Sequence, residues 1–266
     1  AVDGKRAVDT IVEVSNAGRA AKNDYALFAY AMCLSAVDKE TRKYAGRPEN
    51  FNKVVRIGTH LLHLVAYLEQ FRGWGRLART VVSQWFTSRS ANDLALQAIK
   101  YFARDGWTLR DVLRVAHPYP RAPFTPTEVL EWIAGQREIL DKPLPALIEG
   151  FHAIQAAIND THAARIITDY QLPREAVPTE RLNSEEVWQA LLPHMPMTAL
   201  VRSLAKMTAV GVLGEGNREN IQSVVDRITS EEALRGARVH PIAMLSALKV
   251  YSQGHGERGK LSWSPV

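Results

Sequence analysis

The chain has 266 residues, of which 46% are apolar and 23% are charged, and its formal net charge is +5 at pH 7. This composition is that of a folded globular protein and excludes a disordered chain. No apolar run approaches the roughly 20 residues of a membrane span, and the first six residues lack a signal-peptide core. The single cysteine, Cys33, excludes an internal disulfide. We therefore expect a cytoplasmic protein that does not enter a membrane.

The charge is unevenly distributed along the chain. Residues 1–120 contain 18 basic and 11 acidic side chains, a balance of +7, whereas residues 121–266 contain 15 basic and 17 acidic, a balance of −2. A basic half on a globular chain favours an acidic partner, and nucleic acid is the commonest.

Helix patterns follow one another through the first half. An apolar run covers residues 24–36, and an i, i+3, i+4, i+7 apolar stripe covers residues 60–71, which Thr59 would cap. Three further helices are predicted over residues 76–86, 94–103 and 108–116. The last of these begins with Thr108 and Asp111, which resemble a capping box.

Proline at first-turn positions predicts the helix starts of the second half. These prolines are Pro126, Pro143, Pro173, Pro196 and Pro241, and Ser230 predicts a further helix by its capping position. About thirteen helices with short links and no strand pattern predict an all-α protein. Helix pairs that recur at roughly 35–45 residues favour a HEAT-like helix-pair solenoid over a compact helical domain. We expect one module over residues 1–266, with an articulation near 118–126.

Two motifs resemble a phosphate-binding loop and a metal site, but each lacks residues that such a site requires. Residues 254–260 have the glycine and lysine spacing of a phosphate-binding loop, but Leu261 stands where a serine or threonine would hold magnesium, and a helix precedes the segment. His60 and His63 are three residues apart but have no further ligand at a supporting spacing. The chain also lacks a nucleophile elbow and a zinc-protease motif. We expect no catalytic residues, no metal and no cofactor.

A third set of residues is basic and aromatic and predicts RNA binding. Its members are Arg56, His60, Arg72, Trp74, Arg76, Arg79, Lys100, Tyr101, Arg104, Arg110, Arg114 and His117. The i, i+4 spacing predicts that Lys100 and Arg104 share a helix face. A similar row on the following helix is predicted for Arg110, Arg114 and His117. Arginine binds phosphates bidentately and stacks on unpaired bases. The alternative is a solvated helix surface with scattered salt bridges.

Several segments of this sequence resemble the helical-repeat module of the Ro autoantigen family, often called the TROVE module. They are residues 56–61, 74–76, 100–107, 183–192, 195–200, 206–209, 238–241 and 254–265. The segments follow the family's order over nearly the whole chain. The match is poorer over residues 44–53 and 118–170.

The resemblance implies a ring of HEAT-like helix pairs, complete or incomplete, that acts as a ribonucleoprotein. Members of the family bind Y RNAs, and some hold the 3′ ends of misfolded noncoding RNAs in the central hole. Lys100, Arg104 and His117 fall on family positions implicated in RNA contact. A bacterial member would also have an exoribonuclease partner. The family normally continues into a von Willebrand factor A domain, whose metal motif this sequence does not contain.

A helical-repeat scaffold that binds protein partners is the leading alternative. The two hypotheses differ in their response to salt, because phosphate contacts weaken steeply as the salt concentration rises, whereas an apolar protein interface responds much less.

Overall fold

The computed structural model describes residues 3–17, 22–101, 103–118, 126–135, 143–237, 239 and 241–254. Within these ranges the chain forms sixteen α-helices and one pair of two-residue strands, so the all-α prediction is confirmed there. The helices are α1 Gly4–Ala17, α2 Asp24–Ser35, α3 Lys39–Ala45, α4 Pro48–Val54, α5 Gly58–Phe71, α6 Arg76–Thr87, α7 Ala91–Lys100, α8 Leu109–Ala116, α9 Thr127–Ala134, α10 Ala146–Gln155, α11 Asp160–Tyr170, α12 Glu185–Leu191, α13 Met197–Ala209, α14 Arg218–Thr229, α15 Glu231–Gly236 and α16 Pro241–Gly254. The strands are β1 Ala103–Arg104 and β2 Trp107–Thr108.

The chain divides into two compact units, residues 1–148 and residues 149–266. Residues 119–125 of the articulation predicted near 118–126 lie outside the described residues, as do residues 255–261 of the glycine-rich segment. Among the described helices, none is both long and apolar enough to cross a membrane.

The first unit is built on a core of large side chains from neighbouring helices. Helix α2 packs against α1 and α5, and α8 packs against α6 and α9. Trp85, Tyr30, Phe51 and Phe86 are among the largest fully buried side chains of this core. Burial of one such side chain contributes about 1.5–3 kcal/mol. The core therefore fixes which face of each helix remains available to solvent.

A buried polar network fixes the link between α4 and α5. The indole of Trp85 donates to the carbonyl oxygen of Val55 at 2.8 Å, and Arg89 donates to the carbonyl oxygen of Arg56 at 2.8 Å. The amide of Gly58 donates to the side-chain oxygen of Gln97 at 2.8 Å. Since buried backbone groups must be paired, side chains from α6, α7 and the link between them hold this segment in place. The prediction that Thr59 caps α5 is wrong, because α5 begins at Gly58 and Ile57 is its N-cap residue.

The predicted helix 94–103 ends early, and a hairpin replaces its last turn. Helix α7 ends at Lys100, and β1 and β2 pair antiparallel with Arg104 opposite Trp107. The two turn residues, Asp105 and Gly106, have φ of 51° and 80°. An Asp-Gly pair favours a tight hairpin because both residues tolerate positive φ. This signal outweighs the helical spacing of the residues before it.

Several predicted helix ends are confirmed. Thr108 and Asp111 form a reciprocal capping box at the start of α8, and the Ser230 side chain caps α15. Pro196 is the N-cap of α13. Pro173, in contrast, precedes a single turn of 3-10 helix, so the prediction of a full helix there is wrong.

In the second unit, α11 packs against α12, and α13 packs against α14 and α16. Trp188 of α12 is fully buried, and its indole donates to the carbonyl oxygen of Leu182 at 2.8 Å. Arg227 of α14 donates to the carbonyl oxygens of Leu192 and Met195. The bonds of Arg227 connect α14 to a segment more than 30 residues earlier in the chain, as expected for stacked helix pairs.

The network at the α4–α5 link predicts a stability effect. Gln97→Ala removes the acceptor of the buried Gly58 amide, which should lower the free energy of unfolding by about 1–3 kcal/mol. Urea denaturation followed by circular dichroism measures the change. Gln70→Ala, at an exposed position of α5, is the control and should change stability by less than about 0.5 kcal/mol. Equal stability of the two variants would contradict the role of this network.

Candidate RNA-binding site

Helix α6 presents a polar face along its whole length. Its apolar face, with Val81, Val82, Trp85 and Phe86, is buried in the core. The other face has the i, i+3, i+4 spacing of one helix side. Its members are Arg76, Arg79, Thr80, Ser83, Gln84 and Thr87.

This polar face forms one wall of a cleft of about 600 Å³. Trp74, which precedes α6, and Ala116 and His117, at the end of α8, complete its lining. We call this site the α6 cleft. Its volume lies within the roughly 300–1,000 Å³ of sites that enclose small ligands.

The α6 cleft is positively charged, and its arginines have no partner among the described residues. None of the described lining residues is acidic. The side chains of Arg76, Arg79 and His117 have no hydrogen bond or ion pair with any described residue. Arg76 and Arg79 also lie in the first turns of α6, where the helix dipole favours acidic residues. Such a departure from local preference is typical of a binding site, here one for an anion.

His117 adopts an unusual backbone conformation in the α6 cleft. It follows the last residue of α8 with φ 47° and ψ 59°, in the left-handed region. A residue with a β-carbon adopts this region at a cost of about 1–2 kcal/mol. The prediction that Arg110, Arg114 and His117 form one helical row is therefore wrong for His117. The turn directs the chain out of α8 and leaves the imidazole exposed.

The hairpin that carries Arg104 is connected to the α6 cleft through two tryptophans. The rings of Trp74 and Trp107 lie 5.8 Å apart between centroids, at an interplanar angle of 59°. Trp107 stands opposite Arg104 in the strand pair. Arg104 is exposed, and its side chain has no partner among the described residues.

The prediction that Lys100 and Arg104 share a helix face is wrong. Lys100 is the last residue of α7, whereas Arg104 belongs to β1. The ammonium group of Lys100 lies 5.8 Å from the centroid of the Tyr101 ring, a cation–π distance. The two cations are held by different elements, so their relative position depends on the hairpin.

Arg110 and Arg114 differ in whether their side chains form hydrogen bonds within the protein. Arg110 donates through Nε to the carbonyl oxygen of Ile133 at 3.1 Å, which holds it against the end of α9. Arg114 is exposed on α8, and the described residues offer it no hydrogen bond. Arg114 is therefore the more available of the two to a ligand.

Arg56 and His60 belong to the framework and do not line the α6 cleft. The guanidinium group of Arg56 donates to the hydroxyl of Ser15 at 3.0 Å and to the carbonyl oxygen of Lys53 at 2.5 Å. The amide of Arg56 donates to Nδ1 of His60 at 3.4 Å. Burial, assisted by the charge of Arg56, lowers the pKa of His60 to about 4. A neutral His60 offers no charge to a phosphate at pH 7, and an RNA contact by either residue stays a prediction.

His63 lies near two carboxylates that its sequence spacing from His60 did not predict. It is buried, with Nδ1 against the carboxylate of Asp105 and Nε2 3.9 Å from Oδ1 of Asp24. No group of three or more potential metal ligands is gathered within the described ranges. His63 therefore connects the hairpin to the helices beneath it.

Four neutral residues of the α6 cleft were missed at the level of sequence. They are Thr80, Ser83, Gln84 and Thr87. Their positions continue the spacing of Arg76 and Arg79, so the polar stripe of α6 was a usable signal. The contribution of Ala116 and His117 depends on the packing of α8 against α6, which no local pattern indicates.

The chain is similar to known proteins along most of its length. The profile of the TROVE domain matches residues 6–142 and 164–263. The chain is 37% identical over 265 residues to the RNA-binding protein RO60 of Deinococcus radiodurans, covering 99% of this chain and 49% of that protein. It is 32% identical over 270 residues to the RNA-binding protein RO60 of Caenorhabditis elegans, covering 80% of this chain and 42% of that protein.

Among solved structures, the crystal structure of the Deinococcus radiodurans Ro (RSR) protein is similar, with a TM-score of 0.78 at 37% identity. The match covers 96% of this chain and 51% of that one. The chain thus spans about half the length of the relatives that it matches.

The low pKa of His60 predicts a pH dependence of stability. The unfolded chain binds a proton near the ordinary value of 6.5, whereas the folded protein does so only at about 4. Stability should therefore fall as the pH decreases from about 6.5 to about 4, by a total on the order of 3 kcal/mol. Urea unfolding at several pH values measures the change. His60→Gln retains a hydrogen-bond acceptor without titrating and should flatten the decline, and an imidazole signal of His60 that titrates near 6.5 by NMR would contradict this account.

Proposed function

Since the chain belongs to the TROVE-domain family, we propose that it binds RNA, with the α6 cleft as a central part of the binding surface. The observation that carries the proposal is a pair of cations, Arg76 and Arg79, which have no partner among the described residues and lie with His117 in a cleft whose described lining is not acidic. Phosphates satisfy such cations, and arginine in particular binds them through two parallel hydrogen bonds.

The rest of the surface supports the same assignment. Arg104 and Arg114 are exposed, and neither side chain has a hydrogen bond with a described residue. Trp74 is half-buried at the edge of the α6 cleft, and His117 is exposed beside it. Aromatic rings stack on unpaired bases, as single-stranded RNA requires. Lys100, Arg104 and His117, which the family resemblance implicates, therefore belong to the proposed surface.

We further propose that the RNAs bound are Y RNAs and the 3′ ends of misfolded noncoding RNAs. The protein would then act in RNA stability and quality control, with an exoribonuclease as partner if the source is bacterial. We propose a binding role without catalysis, in the cytoplasm. The two relatives are both named as RNA-binding proteins, which supports RNA binding in general.

One observation favours a scaffold for protein partners as a second function. In the second unit, an apolar groove of about 250 Å³ lies among α13, α14 and α16. It is lined by side chains such as Val201, Val224 and Leu248. A partner bound there would be held by apolar contact, so its affinity would depend little on salt.

The proposed site predicts the effect of removing its arginines. Arg76→Ala with Arg79→Ala should weaken binding of a stem-loop RNA with a single-stranded tail by about 30- to 1000-fold, because two charge-assisted contacts are lost. The slope of log affinity against log salt concentration should flatten by about one to two units. Fluorescence anisotropy at several salt concentrations measures both quantities.

The control removes the same charge from the second unit. Arg165→Ala with Arg202→Ala replaces two exposed arginines of α11 and α13 and should change the affinity by less than about threefold. Equal weakening by the two double variants would mean diffuse charge attraction and would contradict the site.

A further inference from the structure

The hairpin of β1 and β2 is too small to hold its own conformation. Each strand has two residues, and its turn places Asp105 at φ 51°. An isolated two-stranded hairpin is marginally stable in water even when it is longer. The position of Arg104 therefore depends on contacts between this hairpin and the helices beneath it.

Two of these contacts are made by residues on either side of the turn. Tyr101 packs against Gly58 so closely that a β-carbon on the glycine would lie 2.9 Å from its Cβ. Trp107 rests on the Trp74 ring. The first contact holds the chain where it enters the hairpin, and the second holds the residue that follows the turn. Neither of them involves Asp105 or Gly106, the two residues of the turn itself.

The turn itself is held by the contact between Asp105 and His63. His63 is fixed within α5, where its side chain is about 10% exposed, while the Asp105 side chain is 41% exposed. When Nδ1 of His63 carries its proton, it donates to the Asp105 carboxylate. The Asp24 carboxylate lies on the other side of the ring, 3.9 Å from Nε2, which is too far for a hydrogen bond. Arg104 is the residue next to this anchored position, and its own side chain has no hydrogen bond or ion pair with a described residue.

We propose that Asp105 and His63 are positioning residues for RNA binding, whose contact fixes the hairpin turn so that Arg104 faces the bound RNA beside the α6 cleft. This inference rests on the proposed function. If the turn moved freely, the Arg104 side chain would adopt many orientations. Fixing one of them when RNA binds would then lower the affinity. The anchor removes that cost before the RNA arrives. An acidic residue beside an RNA-binding arginine is thereby explained, because its charge is directed into the protein.

The test compares two substitutions that remove the same charge. Asp105→Asn keeps an oxygen acceptor for His63, and Asp105→Gly removes the side chain altogether. Asn-Gly and Gly-Gly both suit this turn, so each variant retains the hairpin. With the same stem-loop RNA, Asp105→Asn should bind at least as tightly as the unmodified protein. Asp105→Gly should bind about five- to tenfold more weakly than Asp105→Asn, with a salt slope flatter by up to about 0.7 units, the value for one phosphate contact on a single strand.

A double-mutant cycle then asks whether the anchor acts through Arg104. In an Arg104→Ala background, the difference between Asp105→Gly and Asp105→Asn should disappear, because the side chain being positioned is gone. In an Arg76→Ala background, the difference should remain, because Arg76 is held by a different element. Equal binding by the two Asp105 variants would overturn the proposal, and so would a difference that persists without Arg104.

His63→Gln provides an independent check from the other partner. Glutamine retains a donor at this buried position, so thermal unfolding by circular dichroism establishes that the variant is folded. A smaller loss of affinity than in Asp105→Gly is expected, and it too should vanish in the Arg104→Ala background. If Arg104→Ala leaves RNA affinity unchanged while Arg76→Ala with Arg79→Ala lowers it, the positioning role is wrong and the α6 cleft stands. If neither lowers it, the proposed function itself fails.

Discussion

The first unit depends on satisfying the buried backbone between α4 and α5. Its polar groups at Val55, Arg56 and Gly58 are paired by Trp85, Arg89 and Gln97, respectively. A buried group left without a partner costs about 1–3 kcal/mol, so α6 and α7 have one favourable placement against this link. Arg89 reinforces that placement because it also pairs with Asp93 and lies 4.0 Å from the Trp85 ring centroid.

This constraint also sets the orientation of the candidate site. When Trp85 faces inward to reach Val55, the geometry of a 3.6-residue helix turns Arg76, Arg79 and Ser83 outward. One side of α6 thus belongs to the core, and the other is left to a ligand. Because α8 packs against the same helix, its last turn brings His117 to the cleft. Substitutions on the polar side can therefore change binding without removing contacts that hold the fold.

Local signals in the sequence were sufficient for much of this arrangement. The prediction of a helix over residues 76–86 agrees closely with α6, and the capping box of α8 was evident from Thr108 and Asp111. The hairpin was not predicted because residues 94–103 have helical spacing, although Asp105-Gly106 is a hairpin turn signal. The framework roles of Arg56 and His60 could not be predicted, because their partners at Ser15 and in the buried link are set by tertiary packing.

The central claim, that RNA occupies the α6 cleft, can be tested by photocrosslinking. A stem-loop RNA with a photoreactive thiouridine in its single-stranded tail would be bound, irradiated and digested, and the modified peptides identified by mass spectrometry. We expect nucleotide adducts on peptides that contain Trp74, the polar face of α6 or His117. Adducts confined to α13, α14 and α16 in the second unit would contradict the account.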